Sequence, residues 1–427
     1  MAELDGERST GVLRERNCVL VLDALRRHGL VSRSDLARLT GLSRTTVGSL
    51  VSDLQARGLV VEEVDGERQP GRGRPPAFLR LDRSAGVAVG IDFDHDRVRV
   101  ALADLSSTVL GEDCAEIDVD HSASDAIDAA VEIIGALRVA AGLDESELIG
   151  AGVGLPGPID GRTGTVGSAT ILPGWAGKSP RDMLSERLGL PVEVDNDANL
   201  GALAEVSFGA GRGLTEVVYV RLGSGVGAGL VIGGRIHHGA AGLAGEIGHV
   251  QVHADGVVCR CGNRGCLESV AAEGSIRALL RPAQGHEVTR RDVLELLAAR
   301  DLGATRVVND AGRAIGRVLA DLCNALNFEA VVVGGELSEA GEPLLDGIRD
   351  SIDRYALPGA AAAVKVVHGE LGERAEVLGA LALVTQSTDA LRLIRRQTLV
   401  QFGSAVEARQ AAWRPVGRKE AVHAETS

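Results

Sequence analysis

The larger part of the chain, from about residue 84 to residue 390, alternates two kinds of apolar run. Strand-like runs rich in valine and glycine, such as GVAVGID, LIGAGVGL and AVVVGGEL, are separated by runs rich in alanine and leucine. Such alternation over a long stretch is typical of an α/β domain. A unit of strand, turn and strand occurs twice, near residues 87–105 and 217–236, which predicts two similar lobes.

The preceding segment, residues 14–66, has the spacing of short helices. SRSDLARLTG begins with Ser32 and Asp35 at capping-box spacing, and SRTTVGSLVSDLQARG begins with Ser43, another N-cap residue type. Each helix carries apolar residues at helical spacing and ends at a glycine. Two capped helices joined by a tight turn predict a helix-turn-helix.

Two strand-like runs, LVVEEV and AFLRLD, follow on either side of the basic loop DGERQPGRGRPP, as in the wing of a winged helix. From Arg26 to Arg83 there are 11 Arg and 7 Asp or Glu residues, a local excess of 4 positive charges in a chain of net charge −14. This asymmetry predicts a DNA-binding module attached to an acidic protein. A winged helix used only for protein contacts is the alternative. The residues expected to contact DNA are Ser43, Arg44, Thr45, Thr46, Ser49, Arg72 and Arg74.

Length and composition narrow the class of protein further. A chain of 427 residues is too long for one ordinary core, so two or three domains are expected. No run approaches the length of apolar sequence that a membrane helix needs, and MAELDGERST lacks the basic start and apolar core of a secretory signal. We therefore expect a cytoplasmic protein with no membrane partner.

Four residues in the stretch GEIGHVQVHADGVVCRCGNRGCLES have the types and spacing of metal ligands. They are His249, Cys259, Cys261 and Cys266. One loop can wrap such a set around a tetrahedral Zn²⁺, and four protein ligands are the mark of a structural rather than a catalytic site. A disulfide and inert core cysteines are the alternatives.

The same region carries a family resemblance. LAGEIGH followed by CRCGNRGCLE, with RLGSGVGAGLVIGGRIHHGAAGLAGE upstream, resembles the signature of the ROK family of repressors, open reading frames and kinases. The resemblance covers roughly residues 84–390, and the helix-turn-helix ahead of it is similar to the family's repressor branch, typified by xylose repressors. It implies an actin-like ATPase fold with two lobes and a sugar in the cleft between them.

The resemblance also assigns residues. Asn196 and Asp197 in VEVDNDANLGALAE match the family's sugar-binding Asn and catalytic Asp. Glu246, His249 and Glu268 match further sugar contacts, so His249 would serve both the sugar and the zinc. From residue type alone, Asp195 and Asp197 are equally well explained as turn and cap residues.

One kinase element is altered in this chain. Family kinases carry Asp-x-Gly-Gly-Thr/Ser after the first strand, whereas here Asp92 is followed by Phe and then by Asp94, His95 and Asp96. Added carboxylates repel a triphosphate and their side chains block close backbone approach. Arg97 would point the wrong way in a strict strand alternation. The glycine-rich elements GSGVGAG (223–229) and VVVGGEL (331–337) of the second lobe are kept.

These features predict a winged helix-turn-helix followed by a two-lobed actin-like α/β fold. The expected divisions are 1–83 for the DNA-binding domain, 84–200 and 201–390 for the lobes, with a final helix at about 372–390 returning to the first lobe, and a tail at 391–427. The expected function is that of a sugar-responsive transcriptional repressor, not an enzyme. It would act as a homodimer or homotetramer on a palindromic double-stranded operator. An ATP-dependent sugar kinase with Asp197 as general base is the rival, and a scaffold that binds no DNA is a third possibility.

Overall fold

The computed structural model describes residues 2–64, 77–160, 164–167 and 170–386. Within these residues, no helix is both long enough and apolar enough to cross a membrane. The described chain forms an N-terminal winged helix and two α/β lobes with sheets of five strands each.

The N-terminal domain packs three helices against a small antiparallel sheet of order β1-β3-β2. Its elements are α1 (Ala2–His28), β1 (Val31–Ser32), α2 (Arg33–Thr40), α3 (Arg44–Ala56), β2 (Val60–Val64) and β3 (Ala77–Leu81). The predicted helix-turn-helix and the two wing strands are present, and β1 is an addition that the sequence did not suggest. The wing loop, with Arg72 and Arg74, lies outside the described residues.

Both predicted helix caps form. The Ser32 hydroxyl accepts a hydrogen bond from the amide of Asp35 at 3.2 Å, and the Ser43 hydroxyl accepts one from the amide of Thr46 at 3.1 Å. Each bond satisfies a backbone donor that has no partner within the helix, and a cap of this kind contributes about 1 kcal/mol. The caps therefore fix where α2 and α3 begin.

The first lobe is built on a sheet of order β6-β5-β4-β7-β8. Its elements are β4 (Val87–Phe93), β5 (Arg97–Asp104), β6 (Val109–Glu116), α4 (Ala123–Ala140), β7 (Leu148–Leu155), α5 (Pro180–Leu188) and β8 (Val192–Asn196). The strands β4, β7 and β8 are parallel, while β4, β5 and β6 form antiparallel hairpins. Every residue of β4 and β7 is buried, as expected for strands covered on both faces.

The second lobe has a sheet of order β11-β10-β9-β12-β13. Its strands are β9 (Val217–Leu222), β10 (Val226–Ile232), β11 (Arg235–Ile236), β12 (Ala330–Gly334) and β13 (Lys365–His368). The helices from here on are α6 (Asp197–Phe208), α7 (Glu268–Ala271), α8 (Glu273–Gln284), α9 (Arg290–Ala298), α10 (Leu302–Leu326), α11 (Glu342–Tyr355), α12 (Pro358–Ala363) and α13 (Ala375–Gln386). The strand order and directions repeat those of the first lobe, so the predicted duplication is confirmed.

Helix α13 lies against the sheet of the first lobe and against α6. It contacts β4, β5 and β7. A Cβ atom at Gly152 of β7 would lie 2.0 Å from the Ala380 carbonyl oxygen, and one at Gly379 would lie 2.0 Å from the Leu200 carbonyl oxygen. Glycine at these two positions is what allows α13 to approach both neighbours so closely.

Candidate functional site

The five predicted sugar-binding side chains line one cavity between the lobes. They are Asn196, Asp197, Glu246, His249 and Glu268. The cavity also touches His95 of the first lobe and the 224–228 turn of the second. Its volume is about 50 Å³, well below the 300 Å³ or more of usual small-molecule sites.

The junction of β8 and α6 places Asp197 in this cavity. Asn196 is the N-cap of α6: its Oδ1 accepts from the amides of Ala198 at 2.9 Å and Asn199 at 3.3 Å, and its Nδ2 donates to the Gly157 carbonyl at 3.1 Å. Asp197 is buried, and its Oδ2 lies 3.4 Å from Nε of Arg221. Burial raises the pKa of Asp197 and the guanidinium opposes the rise. Because its Oδ1 accepts from two amides of the first turn, Asn196 caps α6, while Asp197 faces Arg221 across the cavity.

Asp195, the neighbouring carboxylate, is engaged elsewhere. It lies 2.7 Å from His238 Nε2 and accepts a bond from Asn199 Nδ2 at 2.8 Å. These contacts connect the start of α6 to the loop that leads to Glu246. Asp195 is thus explained as a residue that holds these two segments together.

Glu268 is held by an arginine, Arg260, that is not among the predicted site residues. Arg260 donates to both Glu268 carboxylate oxygens, from Nε at 2.9 Å and from Nη2 at 3.1 Å. Such bidentate pairs fix orientation as well as charge. The position of Arg260 between Cys259 and Cys261 in the CRC sequence is the signal that could have revealed it. Glu246 has no such arginine among the described residues, and burial beside Asp197 and Glu268 raises its pKa to about 7.

The four predicted metal ligands converge. The ligand atoms of His249, Cys259, Cys261 and Cys266 all lie within 4.8 Å of one another. His249 Nδ1 is 3.7 Å from the Cys259 sulfur, and the Cys261 and Cys266 sulfurs are 3.7 Å apart. A tetrahedral zinc with bonds near 2.3 Å has sulfur–sulfur edges of about 3.8 Å, so this donor set fits Zn²⁺. The same separation exceeds a disulfide bond, and all three thiols are free.

The two ring nitrogens of His249 face different partners. Nδ1 points to the cysteine cluster, while Nε2 lies 3.8 Å from Glu246 Oε2 on the side of the cavity. A single imidazole can therefore ligate a metal with one nitrogen and orient a cavity carboxylate with the other. This arrangement is compatible with both roles predicted for His249.

The altered turn of the first lobe is part of a buried ion-pair network that spans the lobes. Asp94 Oδ2 lies 3.2 Å from Arg221 Nη2 and 3.3 Å from Arg97 Nη2. Glu336, which follows β12, lies 2.6 Å from Arg97 Nη2 and 3.6 Å from Arg221 Nη2. Burial opposes the ionisation of Asp94, but Arg221 and the other partners hold its pKa well below the ordinary value.

The prediction that Arg97 points the wrong way was wrong. The Asp94 amide donates to the Arg97 carbonyl at 3.0 Å, closing a two-residue turn, so the two residues face each other across the hairpin. Opposite residues in an antiparallel pair lie on the same side of the sheet. Arg97 therefore shares the side of Asp94 and reaches the cleft.

The two residues of the turn itself behave differently from Asp94. His95 Nδ1 lies 2.7 Å from Asp120 Oδ1 in the same lobe. Asp96 is exposed. Only one of the three titratable residues is thus committed to the network between the lobes.

Neighbouring atoms leave little room for a side chain at several glycines of the two glycine-rich elements in the second lobe. A Cβ atom at Gly223 would lie 2.1 Å from Glu336 Oε2, and one at Gly225 would lie 2.9 Å from Glu268 Oε2. Gly335 has φ of +78° and would place a Cβ 2.4 Å from the Leu222 carbonyl oxygen. Gly335 is therefore required by its positive φ and by the backbone packed against it, whereas a Cβ at Gly223 or Gly225 would have to displace the end of a paired side chain.

In the N-terminal domain, the predicted DNA-contacting side chains on α3 lie away from the core. Ser43, Arg44, Thr45 and Ser49 are exposed and Thr46 is half-buried. The opposite side of α3 packs Val47, Leu50, Val51 and Leu54 into the core, each at most 2% exposed. The first turns of α3 are thus free to enter a groove.

Comparison with known proteins agrees with this architecture. Residues 88–387 match the ROK family, and residues 14–73 match the MarR family. The xylose repressor of Caldicellulosiruptor bescii is 30% identical over 386 residues, which cover 87% of this chain and 96% of the repressor. A glucokinase of Halalkalibacterium halodurans is 40% identical over 262 residues, 58% of this chain and 79% of the glucokinase.

A solved structure resembles nearly the whole chain. It is a ROK family transcriptional regulator described as a homologue of the Escherichia coli Mlc protein, with a TM-score of 0.76 and 26% identity, covering 90% of this chain and 98% of that one. The fold is a winged helix-turn-helix followed by the two-lobed actin-like fold of sugar kinases. The chain belongs to the ROK family.

Proposed function

We propose that the protein is a sugar-responsive transcriptional repressor. The observation that carries this proposal is the presence in one chain of an exposed α3 surface in a winged helix and a polar cavity lined by all five predicted sugar-binding residues. The full-length similarity to a xylose repressor supports the same function. Such a regulator acts where its operator lies, so we propose a cytoplasmic location.

In this proposal, DNA is bound by the first turns of α3 and by the wing. Arg44 and Thr45 are suited to base edges or phosphates in a major groove, and Arg72 and Arg74 of the wing loop to a minor groove. A homodimer or homotetramer would place two such domains on a palindromic operator. The sugar would bind Asp197, Glu246 and Glu268, whose carboxylates accept hydrogen bonds from vicinal hydroxyls.

The proposed function is tested by selecting bound fragments of genomic DNA with the full chain, with and without each sugar of a panel. We expect a palindromic sequence to be retained, to be released by one sugar, and to be bound more weakly at higher salt. Arg44→Ala should abolish retention, whereas Arg291→Ala, on the exposed surface of α9, should not. Equal retention by the Arg44→Ala variant would contradict the DNA contact, and no retention by the unmodified chain would favour the scaffold.

We further propose that the protein does not phosphorylate its sugar. The family resemblance implies that Asp94 replaces one of the small residues that line the phosphates in family kinases. The Arg97 and Arg221 guanidiniums are paired with Asp94 and Glu336. Phosphoryl transfer depends on cations free to stabilise developing negative charge. The neighbouring cavity is lined by four carboxylates and three arginines, a poor setting for a triphosphate.

A sugar kinase is the second candidate, and the 40% identity to a glucokinase favours it. Asp197 would then take the proton of the attacking hydroxyl. A coupled assay with ATP and a panel of hexoses decides between the two. We expect no turnover; turnover that is lost in Asp197→Asn would establish the kinase.

We propose that His249, Cys259, Cys261 and Cys266 hold a structural Zn²⁺. The ion would tie the loop that carries Glu246 to the segment that carries Arg260 and Glu268. Elemental analysis should find about one zinc per chain, as expected for a site with four protein ligands. Cys266→Ser should lose it and melt at lower temperature, while Cys323→Ser, a buried cysteine of α10, should keep it. Full zinc content in Cys266→Ser would contradict the assignment.

A further inference from the structure

Helix α13 begins inside the buried network that touches the proposed sugar site. The Glu376 carboxylate in its first turn is 3% exposed, accepts a hydrogen bond from the Tyr219 hydroxyl at 3.1 Å and lies 3.4 Å from Arg221 Nε. The same Nε lies 3.4 Å from Asp197 Oδ2. Arg221 thus stands between the sugar-binding carboxylate and the N-terminus of α13.

The Arg221 Nε atom also lacks a hydrogen-bond acceptor in the described part of the chain. This atom is buried, yet it donates a hydrogen bond to neither carboxylate nor to any other group among the described residues. A sugar hydroxyl that donates a hydrogen bond to Asp197 would weaken the attraction between the Asp197 carboxylate and the Arg221 guanidinium. Arg221 would then pair with Glu376 alone, so the network would have two arrangements between which a ligand could select.

Farther along α13, about ten residues from Glu376, an arginine from the DNA-binding domain contacts its backbone. Arg26 of α1 donates from Nη2 to the Thr385 carbonyl at 2.8 Å and from Nε to the Leu105 carbonyl at 3.3 Å. Its side chain is 6% exposed, and burial lowers its pKa to about 10, so it remains charged at neutral pH. Arg26 thus ties α1 directly to the backbone of α13 and to the backbone that follows β5.

Between these ends, α13 and α6 are packed as one body. Both helices start at the network, and both reach a pocket that residues of α1 also line, where Gln386 Nε2 donates to Ser207 Oγ at 3.1 Å. The close approach at Gly379, described above, joins them near the middle. A tightly packed pair of this kind moves as a unit and transmits a displacement along its length.

We propose that Arg26 is a positioning residue through which the state of the Arg221 network, carried by α13, sets the position of the DNA-binding domain. The proposal rests on the proposed function, because it explains how a sugar at Asp197 alters DNA binding. A shift of α13 displaces the Thr385 carbonyl, Arg26 follows it, and α1 carries the helix-turn-helix with it.

The test measures amide hydrogen exchange in α1 of the full chain without any sugar. Glu376→Gln disturbs the network end of α13, and we expect it to change exchange in α1 by at least about fivefold, the lower end of measured allosteric couplings. The change should be absent when Glu376→Gln is combined with Arg26→Met. It should persist when it is combined with Arg27→Met, because Arg27 is more exposed and its ion pair is with Asp23 of the same helix.

A purely structural role for Arg26 would lower stability without removing this response, so melting temperatures are recorded for each variant. Arg26→Lys, which keeps a donor, should restore part of the response. An α1 response to Glu376→Gln that is equal in the Arg26→Met background would overturn the proposal, as would no α1 response in the otherwise unmodified chain.

A second arm separates this inference from the proposed function. D-glucose and D-xylose are added, and exchange is followed at the first turn of α6. If neither sugar changes exchange there while the Glu376→Gln response still depends on Arg26, the sugar site fails and the coupling stands. If a sugar protects α6 and α1 responds equally with and without Arg26, the sugar site stands and the coupling is overturned.

Discussion

The two hairpins at the centre of the lobes, β4–β5 and β9–β10, have the same place in the fold and opposite chemistry. Each joins the second and third strands of a five-stranded sheet of the same order. The first has the titratable residues 94–96 in its turn, and the second has Gly-Ser-Gly at 223–225. The same place in the fold therefore carries titratable side chains in the first lobe and leaves space for side chains in the second.

The two turns meet in the cleft through residues at their edges. Arg221, the residue before the last of β9, pairs with Asp94, and the space at Gly223 is occupied by the carboxylate of Glu336. Acidic groups outnumber basic ones: Arg97 and Arg221 face Asp94, Asp197, Glu336 and Glu376. Each arginine thus contacts several carboxylates, and the loss of one arginine takes a cation away from several carboxylates.

The largest effect is expected for Arg221→Met, which breaks the contact between the hairpins. Removing one partner of a buried ion pair leaves an uncompensated charge and costs about 3–5 kcal/mol. The free energy of unfolding in urea, followed by circular dichroism, measures the loss. Arg291→Met, at an exposed pair on α9, is the control and should lie within about 0.5 kcal/mol of the unmodified protein. Equal values for the two variants would mean that the network does not join the hairpins.

Local patterns predicted much of the fold and only part of the site. The cap at Ser43, the repeated hairpins and the converging zinc ligands all depend on residues close together in sequence. The network did not follow from such patterns, because Arg97 and Glu336 are separated by 239 positions and meet only when the lobes pack. The direction of Arg97 was mistaken because alternation was counted along one strand, whereas the pairing across the turn decides it.

A smaller effect, on the pH dependence of stability, is expected from the excess of carboxylates in the network. Burial raises the pKa of Glu376 to about 7, against the opposing effect of Arg221, with Glu336 and Asp197 adding to the rise. A carboxyl with a raised pKa binds its proton in the folded state where the unfolded chain has lost it. Stability should therefore fall as pH rises from about 4.5 to 7, by at most about 1.4 kcal/mol per pH unit from this group.

Glu376→Gln checks this assignment, because the amide cannot ionise and still accepts a hydrogen bond from Tyr219. Urea unfolding across this pH range should show a flatter slope for the variant. The exposed Glu295→Gln on α9 should leave the slope unchanged. A slope that is the same in Glu376→Gln as in the unmodified protein would show that Glu376 titrates normally.

A smaller effect is expected for Gly223→Ala, which gives the second turn a side chain as the first one has. The new Cβ would lie 2.1 Å from Glu336 Oε2, whose carboxylate is 8% exposed and bound to Arg97. Overpacking of this kind costs about 1–3 kcal/mol. Gly135→Ala in α4 is the control: its Cβ would have open space, so it should stabilise by up to about 1 kcal/mol. Stability equal to or above that of the unmodified protein in Gly223→Ala would show that the turn does not require glycine.

The smallest effect is expected within the first turn itself, for Asp96→Asn. Asp96 is exposed, so the substitution should change the free energy of unfolding by less than about 0.5 kcal/mol. Asp94→Asn, two residues away and of identical chemistry, removes a carboxylate held by Arg97 and Arg221 and should cost about 1.5–3 kcal/mol. The two substitutions remove the same carboxylate chemistry, so the difference between their effects measures what the ion pairs of Asp94 contribute. If both cost the same, the turn contributes through its local acidity alone, and the comparison with the glycine turn of the second lobe loses its structural basis.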